Sequence, residues 1–227
     1  MEKIRDTCEA CVKGEKSKPR PKCAMPRVDG FDNIVTIALK QLDKNDPNRR
    51  YICYLVDMHT RLTAAKFIPN KEPKQIVDTI MEKWVGVGYG LMQGLHTDIG
   101  GEMSNEELDD VAFNLDVKLT TTASYSPHQN GINERNHATL DLMISKMLES
   151  DKNMSPERAL FWSLNAKNGL ENCYGFSPYQ LVFTANPRLP SAANSGPPGF
   201  ENVTRSETFA SHLNALHSAR QQNLLKF

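Results

Sequence analysis

Two acidic residues lie at predicted element boundaries, at a spacing that suits metal-assisted chemistry. Asp98 closes a short apolar segment in the motif HTDIGGE, and Glu134 falls in the first turn of a long predicted helix in SPHQNGINERNH. The chain places 35 residues between them. Carboxylates hold hard divalent ions such as Mg²⁺, and a pair of such ions assists phosphoryl transfer. Either acid alone is more often a turn or helix-terminus residue, so their combination is what points to a site.

The elements that must position these acids are predicted from the hydrophobic periodicity. Three strands joined by polar turns indicate an antiparallel meander, and strands then alternate with helices. This order predicts an α/β fold in which helices flank a mixed five-stranded sheet. The strands are expected at residues 33–39, 51–57, 63–68, 91–97 and 118–121, and the helices after Pro73, Ser104, Gly131 and Ser155, with a last one over 206–225.

Composition and charge narrow the class of protein. Hydrophobic residues make up 39% of the 227 residues, so a core can form, and no apolar run reaches the ~20 residues of a membrane span. The first residues lack the apolar centre of a signal peptide, which predicts an intracellular protein. The net charge is zero, but residues 28–150 carry eighteen acidic and twelve basic side chains. This acidic middle favours a metal-dependent enzyme over a passive nucleic-acid binder.

The motifs TDIGGE and YSPHQNGINER resemble the integrase catalytic core of retroviruses and long-terminal-repeat retrotransposons, and are most similar to the Ty3/gypsy-like group. The resemblance covers residues 28–190 and continues through YICYLVDMHTRLTAAKFIPNK and GFSPYQLVFTANPRLP. It implies an RNase H-like fold, Mg²⁺ or Mn²⁺ as cofactor, and 3′-end processing and strand transfer of element DNA. Asp98 and Glu134 would be the second and third carboxylates of an Asp-Asp-35-Glu set. The resemblance also implies that the chain binds DNA, that it associates with a second copy of itself, and that it acts in the nucleus.

The resemblance also exposes a departure at the first carboxylate of the family. Alignment of NIVTIALKQL with the first strand puts Ala38 at that position, and Ile99 replaces the Asn usual after the second Asp. Alanine offers no metal ligand, so activity is expected to be impaired. Asp32, Asp43 and Asp57 are candidate replacements that the sequence alone does not place. Two hypotheses stay open: a DNA-joining enzyme, or a non-enzymatic DNA-binding or assembly module of the same fold.

The loop before Glu134 is assigned to DNA by the resemblance. Amide and other polar side chains can hydrogen-bond base edges and phosphates. Arg135 is expected either to contact a phosphate or to pair with a neighbouring acid, and His137 is expected to be structural rather than a ligand. The predicted DNA-binding residues are Tyr125, His128, Gln129, Asn130 and Arg135.

Two terminal segments are predicted to be cut from larger modules. Residues 1–27 contain Cys8 and Cys11, which resemble half of a zinc module, followed by a basic linker. Two thiolates cannot complete a tetrahedral site, so no bound Zn²⁺ is expected. Residues 191–227 are interpreted as a linker and a terminal helix. We expect both segments to pack poorly on the core.

Overall fold

A five-stranded mixed sheet forms the centre of the protein, in a computed structural model that describes residues 28–41, 50–97, 106–121, 131–188 and 207–224. Its strands are β1 (Ile34–Gln41), β2 (Tyr51–Asp57), β3 (Thr63–Ile68), β4 (Gly94–Thr97) and β5 (Lys118–Thr121). The order across the sheet is β3-β2-β1-β4-β5. Strands β1 to β3 are antiparallel, and β4 and β5 run parallel to β1. The predicted mixed sheet and its meander are therefore confirmed.

The helices are α1 (Pro73–Ile80), α2 (Glu106–Asn114), α3 (Gly131–Ser150), α4 (Pro156–Leu170), α5 (Pro178–Phe183) and α6 (Glu207–Leu224). Helix α1 continues into a π-helical turn, Met81–Val85, which ends at Gly86. A side chain at Gly86 would bring its Cβ to 2.8 Å from the Met81 carbonyl oxygen, so only glycine fits this tight end. The short helix α5 was not predicted from the sequence.

The two faces of the sheet are covered by different helices. Val35 and Ile37 of β1 belong to a core with helices α1 and α2 and with the buried Trp84. Ile52 and Tyr54 of β2 belong to a second core with helices α3, α4 and α6. Successive side chains of a strand point to opposite faces. Because Val35 and Ile37 face α1 and α2, the even-numbered residues of β1 face helix α3.

Helix α6 packs on α3 and α4, contrary to the expectation for the C-terminal segment. Leu213, Leu216 and Ala219 are buried, and the Trp162 Nε1 group on α4 donates a hydrogen bond of 3.2 Å to His212 Nδ1. The prediction that residues 191–227 pack poorly is therefore wrong for 207–224. Apolar residues spaced by three or four cover a face of α3 and α4 that would otherwise be open. The other terminal segment, 1–27, lies outside the described residues.

None of the helices in the described ranges is both long enough and apolar enough to cross a membrane.

Candidate functional site

Ala38 lies on the α3 face of the central strand. It is opposite Tyr54 in the antiparallel pairing of β1 with β2, and it is partly buried. Tyr54 packs in the core that includes helix α3, so its partner Ala38 points to the same side. The residue that the resemblance aligns with the first carboxylate of the family thus carries a methyl group on the α3 side of β1.

A polar cluster of three side chains occupies this face next to Ala38. The Tyr54 hydroxyl donates a hydrogen bond of 2.6 Å to Asp141 Oδ1 on α3. The Lys40 ammonium, two residues beyond Ala38 on the same face, forms an ion pair with Asp141 Oδ2. Burial raises the pKa of the Tyr54 phenol, and the neighbouring Asp141 carboxylate raises it further. Tyr54 is therefore a neutral donor that holds α3 against β2.

His137 lies one helical turn before Asp141 on α3. Its ring stacks on the Tyr54 ring with centroids 4.3 Å apart, and the residue is 8% exposed. Burial lowers the pKa of His137 to about 4, although Asp141 acts in the opposite direction. A buried, neutral, stacked imidazole fits the structural role expected for this residue.

Glu134 is exposed in the first turn of α3. It precedes His137 by three residues and Asp141 by seven, so all three lie on one stripe of the helix. His137 and Asp141 both contact Tyr54, the partner of Ala38. The helix stripe that carries Glu134 is therefore the stripe that covers position 38.

The parallel pairing of β1 with β4 sets the end of β4 beside the residue that precedes Ala38. Ile37 pairs with Thr97, the last residue of β4. Asp98 follows Thr97 directly in the chain, and Ala38 follows Ile37. Asp98 and its neighbour Ile99 lie outside the described residues.

Two of the three acids considered as replacements are used by the structure itself. Asp57 is fully buried, and it accepts hydrogen bonds from the Thr60 amide at 2.6 Å, the Thr60 hydroxyl at 2.7 Å and the Asp32 amide at 3.0 Å. Asp32 accepts a hydrogen bond of 2.7 Å from Trp84 Nε1. Asp57 also pairs with Val35, whose side chain faces away from α3. Both side chains are therefore held by contacts within the fold, and Asp57 lies on the side of the sheet away from α3.

Several other predicted residues lie outside the described ranges. Arg135, which is described, is exposed and lines a cavity with Arg61 and Asn172. Lys40 and Asp141 were not predicted as part of the site, although strand alternation and the seven-residue spacing from Glu134 carry the signal. The predicted residues outside the described ranges are Cys8, Cys11, Asp43, Tyr125, His128, Gln129 and Asn130.

The donor set does not fit a pair of divalent ions. Two such ions bring four positive charges, whereas Asp98 and Glu134 would return two negative ones. Position 38 supplies a methyl group, and the nearby Asp141 carboxylate is already paired with the Lys40 ammonium. Within the described ranges, no three His, Cys, Asp or Glu side chains are grouped as a metal site would need. Ala38, the residue that the resemblance aligns with the first carboxylate of the family, therefore offers no metal ligand.

Comparison with known proteins gives the class to which this fold and site correspond. No family model matches the chain. Over 164 residues, 72% of the chain, it is 27% identical to the retrovirus-related Pol polyprotein from transposon 412 of Drosophila melanogaster. The chain spans only 13% of that polyprotein's length.

Solved structures with a similar fold include retroviral integrase catalytic core domains. A further match is a protein of the simian T-cell lymphotropic virus intasome in complex with PP2A regulatory subunit B56 gamma. The TM-score is 0.66 and the identity is 20%, and the match covers 83% of this chain and 67% of that one. Another is the HTLV-2 integrase catalytic core domain in complex with magnesium, with a TM-score of 0.58, 16% identity, and coverage of 69% and 99%. The RNase H-like fold and the resemblance to the integrase core of long-terminal-repeat retroelements are confirmed.

Proposed function

We propose that this chain is the core of an integrase-type, DNA-handling protein whose strand-transfer chemistry is impaired by Ala38. Its substrate class is DNA, both element ends and target. Asp98 and Glu134 are the carboxylates retained from a set of three. The Drosophila relative and the integrase neighbours support the class of function, and the identity of residue 38 supports the impairment.

The observation that carries the proposal is the register of β1 with β4 beneath helix α3. Strands β1 and β4 are parallel with Ile37 beside Thr97, and Ala38 and Asp98 directly follow this pair in the sequence. His96 pairs with Thr36, and strand alternation predicts the same face for residue 98 as for residue 96. Helix α3, with Glu134 in its first turn, covers that face.

The side chains present at this face explain why the impairment should be severe. In a complete site a carboxylate at position 38 would repel Asp98 and Glu134 unless cations lay between them. The methyl group of Ala38 carries no charge, so the site attracts cations less strongly than one with a third carboxylate. The Lys40 ammonium, two residues away, adds a positive charge that repels them. Members of a catalytic unit act together, so loss of one can remove most of the unit's effect.

A DNA-joining assay tests this proposal. Strand transfer is a transesterification and is chemically reversible, so a branched DNA that mimics its product tests the reaction without knowledge of the element's end sequence. We expect the unaltered chain with Mn²⁺ to resolve such a branch little or not at all, and Ala38→Asp to gain activity that Glu134→Gln removes. Robust Mg²⁺-dependent resolution by the unaltered chain would contradict the impairment.

Lys40 calls for a second variant in the same assay. A carboxylate introduced at position 38 would lie on the face where Lys40 already pairs with Asp141. Ala38→Asp combined with Lys40→Gln removes the competing ammonium. Activity in either variant that carries Ala38→Asp supports the site. Failure of both, in folded protein that still binds DNA, favours the alternative of a DNA-binding or assembly module that performs no chemistry.

Self-association and a nuclear place of action complete the proposal. The HTLV-2 core was solved in a trimeric form, and this chain exposes large apolar side chains that a second copy can cover, such as Phe161 on α4 and Leu142 on α3. Sedimentation velocity of the purified chain at several concentrations tests the association. A monomer at every concentration would contradict this part.

A further inference from the structure

A cavity at the start of α3 is lined by two arginines from distant parts of the chain. Its volume is about 240 Å³. Arg61 comes from the turn between β2 and β3, and Arg135 from the first turn of α3. The remaining lining residues come from the start of α3 and from the segment after α4, and they are Asn136, Glu171, Asn172, Cys173 and Tyr174.

The Arg61 guanidinium has an unused donor in this cavity. Its Nη1 atom is buried and has no hydrogen-bond acceptor among the residues that the structure describes. The guanidinium lies beside Cys173, where it opposes the rise in thiol pKa that burial causes. A buried charged donor without an acceptor costs free energy, so an anion that accepted from Nη1 would recover part of that cost.

The charges around the cavity leave it positive. Among the described lining residues Glu171 is the one acid, and its Oε2 atom pairs with the fully buried Lys167 ammonium at 2.5 Å. That pair is neutral, so none of the described lining residues cancels the charges of Arg61 and Arg135. The Oδ1 atom of Asn172 accepts from the Gly175 amide at 2.8 Å, which leaves the amide NH₂ as the donor end of that side chain.

The size and the donors together select the ligand. The volume is below the ~300 Å³ at which small-molecule sites begin, so the cavity takes a single group rather than a nucleotide. Guanidinium forks match the oxygens of phosphate and bind them in pairs.

Two residues that line the cavity, Arg61 and Tyr174, hold left-handed backbone conformations with φ of 65° and 56°. Their side chains are thus presented at a backbone cost that most residues avoid.

We propose that this cavity binds one phosphate group, held by Arg61 and Arg135, and that a backbone phosphate of bound DNA supplies it. The DNA source rests on the proposed function, but the phosphate site does not. Arg135 directly follows Glu134 in the first turn of α3. A phosphate held by Arg135 would therefore fix a DNA strand at the end of the helix that carries the retained carboxylate. Phosphate contacts of this kind position a duplex without reading its sequence.

The first experiment uses inorganic phosphate alone. Arginine side-chain NMR signals of the chain are followed during titration with phosphate and, for comparison, with chloride at equal ionic strength. We expect phosphate to shift the Arg61 and Arg135 signals, and Arg61→Gln and Arg135→Gln each to weaken binding about tenfold or more. Arg188→Gln, a matched change at an exposed arginine outside the cavity lining, should bind as the unaltered chain does.

Two results would overturn the phosphate site: no phosphate-specific shift, or Arg61→Gln and Arg135→Gln behaving like Arg188→Gln. Arg135 is exposed, so its variant folds even if the Arg61 variant does not. Arg61→Lys keeps the charge without the fork, and it should bind phosphate less tightly than arginine does.

A second experiment identifies the source of the phosphate. Binding of a short DNA duplex is measured by fluorescence anisotropy at several salt concentrations. Arg61→Gln and Arg135→Gln should each weaken it and lower the salt slope by about one, while Arg188→Gln should not. Phosphate binding without any such effect on DNA overturns DNA as the source. A chain that binds phosphate in the cavity but no DNA contradicts the proposed function and leaves the phosphate site standing.

Discussion

The hydroxyl of Tyr54 lies 2.6 Å from Asp141 Oδ1, and this hydrogen bond joins strand β2 to helix α3 directly beside Ala38. The same carboxylate pairs with Lys40, two residues beyond Ala38 on β1. A neutral donor and a cation thus hold the Asp141 carboxylate on the face of the sheet that carries Ala38. These contacts add to the apolar core that packs α3 over the sheet.

Removal of the Tyr54 hydroxyl should destabilise the fold measurably. In Tyr54→Phe the Asp141 carboxylate loses a partly buried donor, and the free energy of unfolding should fall by about 1–2 kcal/mol. Urea denaturation measures the change. Tyr174→Phe is the matched control, since Tyr174 is 73% exposed and should change stability little. Equal stability of both variants would contradict the proposed role of the hydrogen bond.

His137 should make stability depend on pH in a defined window. Its pKa is lowered from 6.5 to about 4 in the folded chain by burial. A group whose pKa is lowered on folding in this way is neutral in the folded state and gains a proton on unfolding. The contribution of this neutral imidazole to the free energy of unfolding is fully present above pH 6.5. It is lost as the pH falls from 6.5 to about 4, and it amounts to ~3 kcal/mol.

The contribution of His137 is isolated by His137→Phe, which keeps an aromatic ring against Tyr54 but cannot titrate. Stability of the unaltered chain should fall more steeply between pH 7 and pH 4 than stability of the variant. Asp141, Lys40 and Lys167 surround this ring and are unchanged in the comparison. Parallel pH profiles for the two proteins would show that His137 has the same pKa in the folded and the unfolded state, which would contradict the prediction.

Asp57 should prove structural rather than metal-binding. Asp57→Asn places an amide NH₂ where a carboxylate oxygen accepts from the Asp32 amide or from Thr60, so two donors meet. We expect a loss of roughly 2 kcal/mol or more in unfolding free energy. Mn²⁺ affinity, measured by calorimetry on the folded variant, should stay the same. A large drop in affinity would place Asp57 in the site after all.

Helix α6 should contribute to the stability of the core. Leu213 is buried, and its truncation in Leu213→Ala should cost about 2–4 kcal/mol, because a cavity remains on the inner side of α6. The neighbouring Asn214 is exposed, and Asn214→Ala is the matched control. Thermal or urea unfolding measures both. A neutral Leu213→Ala would mean that α6 is not part of the cooperative unit.

The strand meander could be predicted from the sequence because its signals are local. Strands β2, β3 and β5 begin and end at the predicted residues, since apolar or β-branched runs are bounded there by turns. Strand β4 is shorter than predicted, as the exposed Leu91 lies before it. The missed helix α5 carries a capping box, Ser177 with Gln180, which the pattern Ser-Pro-Tyr-Gln contains.

The site could be predicted only in part. The alignment placed Ala38 in the middle of β1, and helical spacing placed Glu134 at the start of α3. The contacts of Asp141 with Tyr54 and Lys40 join residues 87 and 101 positions apart, so no local pattern contains them. The cavity that contains Arg61 and Arg135 likewise exists only once the turn after β2 meets the start of α3.

The measurement that tests the central claim most directly is a double-mutant cycle for Mn²⁺ binding at positions 38 and 134. Calorimetry compares the unaltered chain, Ala38→Asp, Glu134→Gln and the combination of both. If the two positions share one metal site, Ala38→Asp should raise Mn²⁺ affinity about tenfold or more, and most of that gain should vanish when Glu134→Gln is added. A gain that is the same with and without Glu134, or no gain in a folded Ala38→Asp protein, would contradict the shared site.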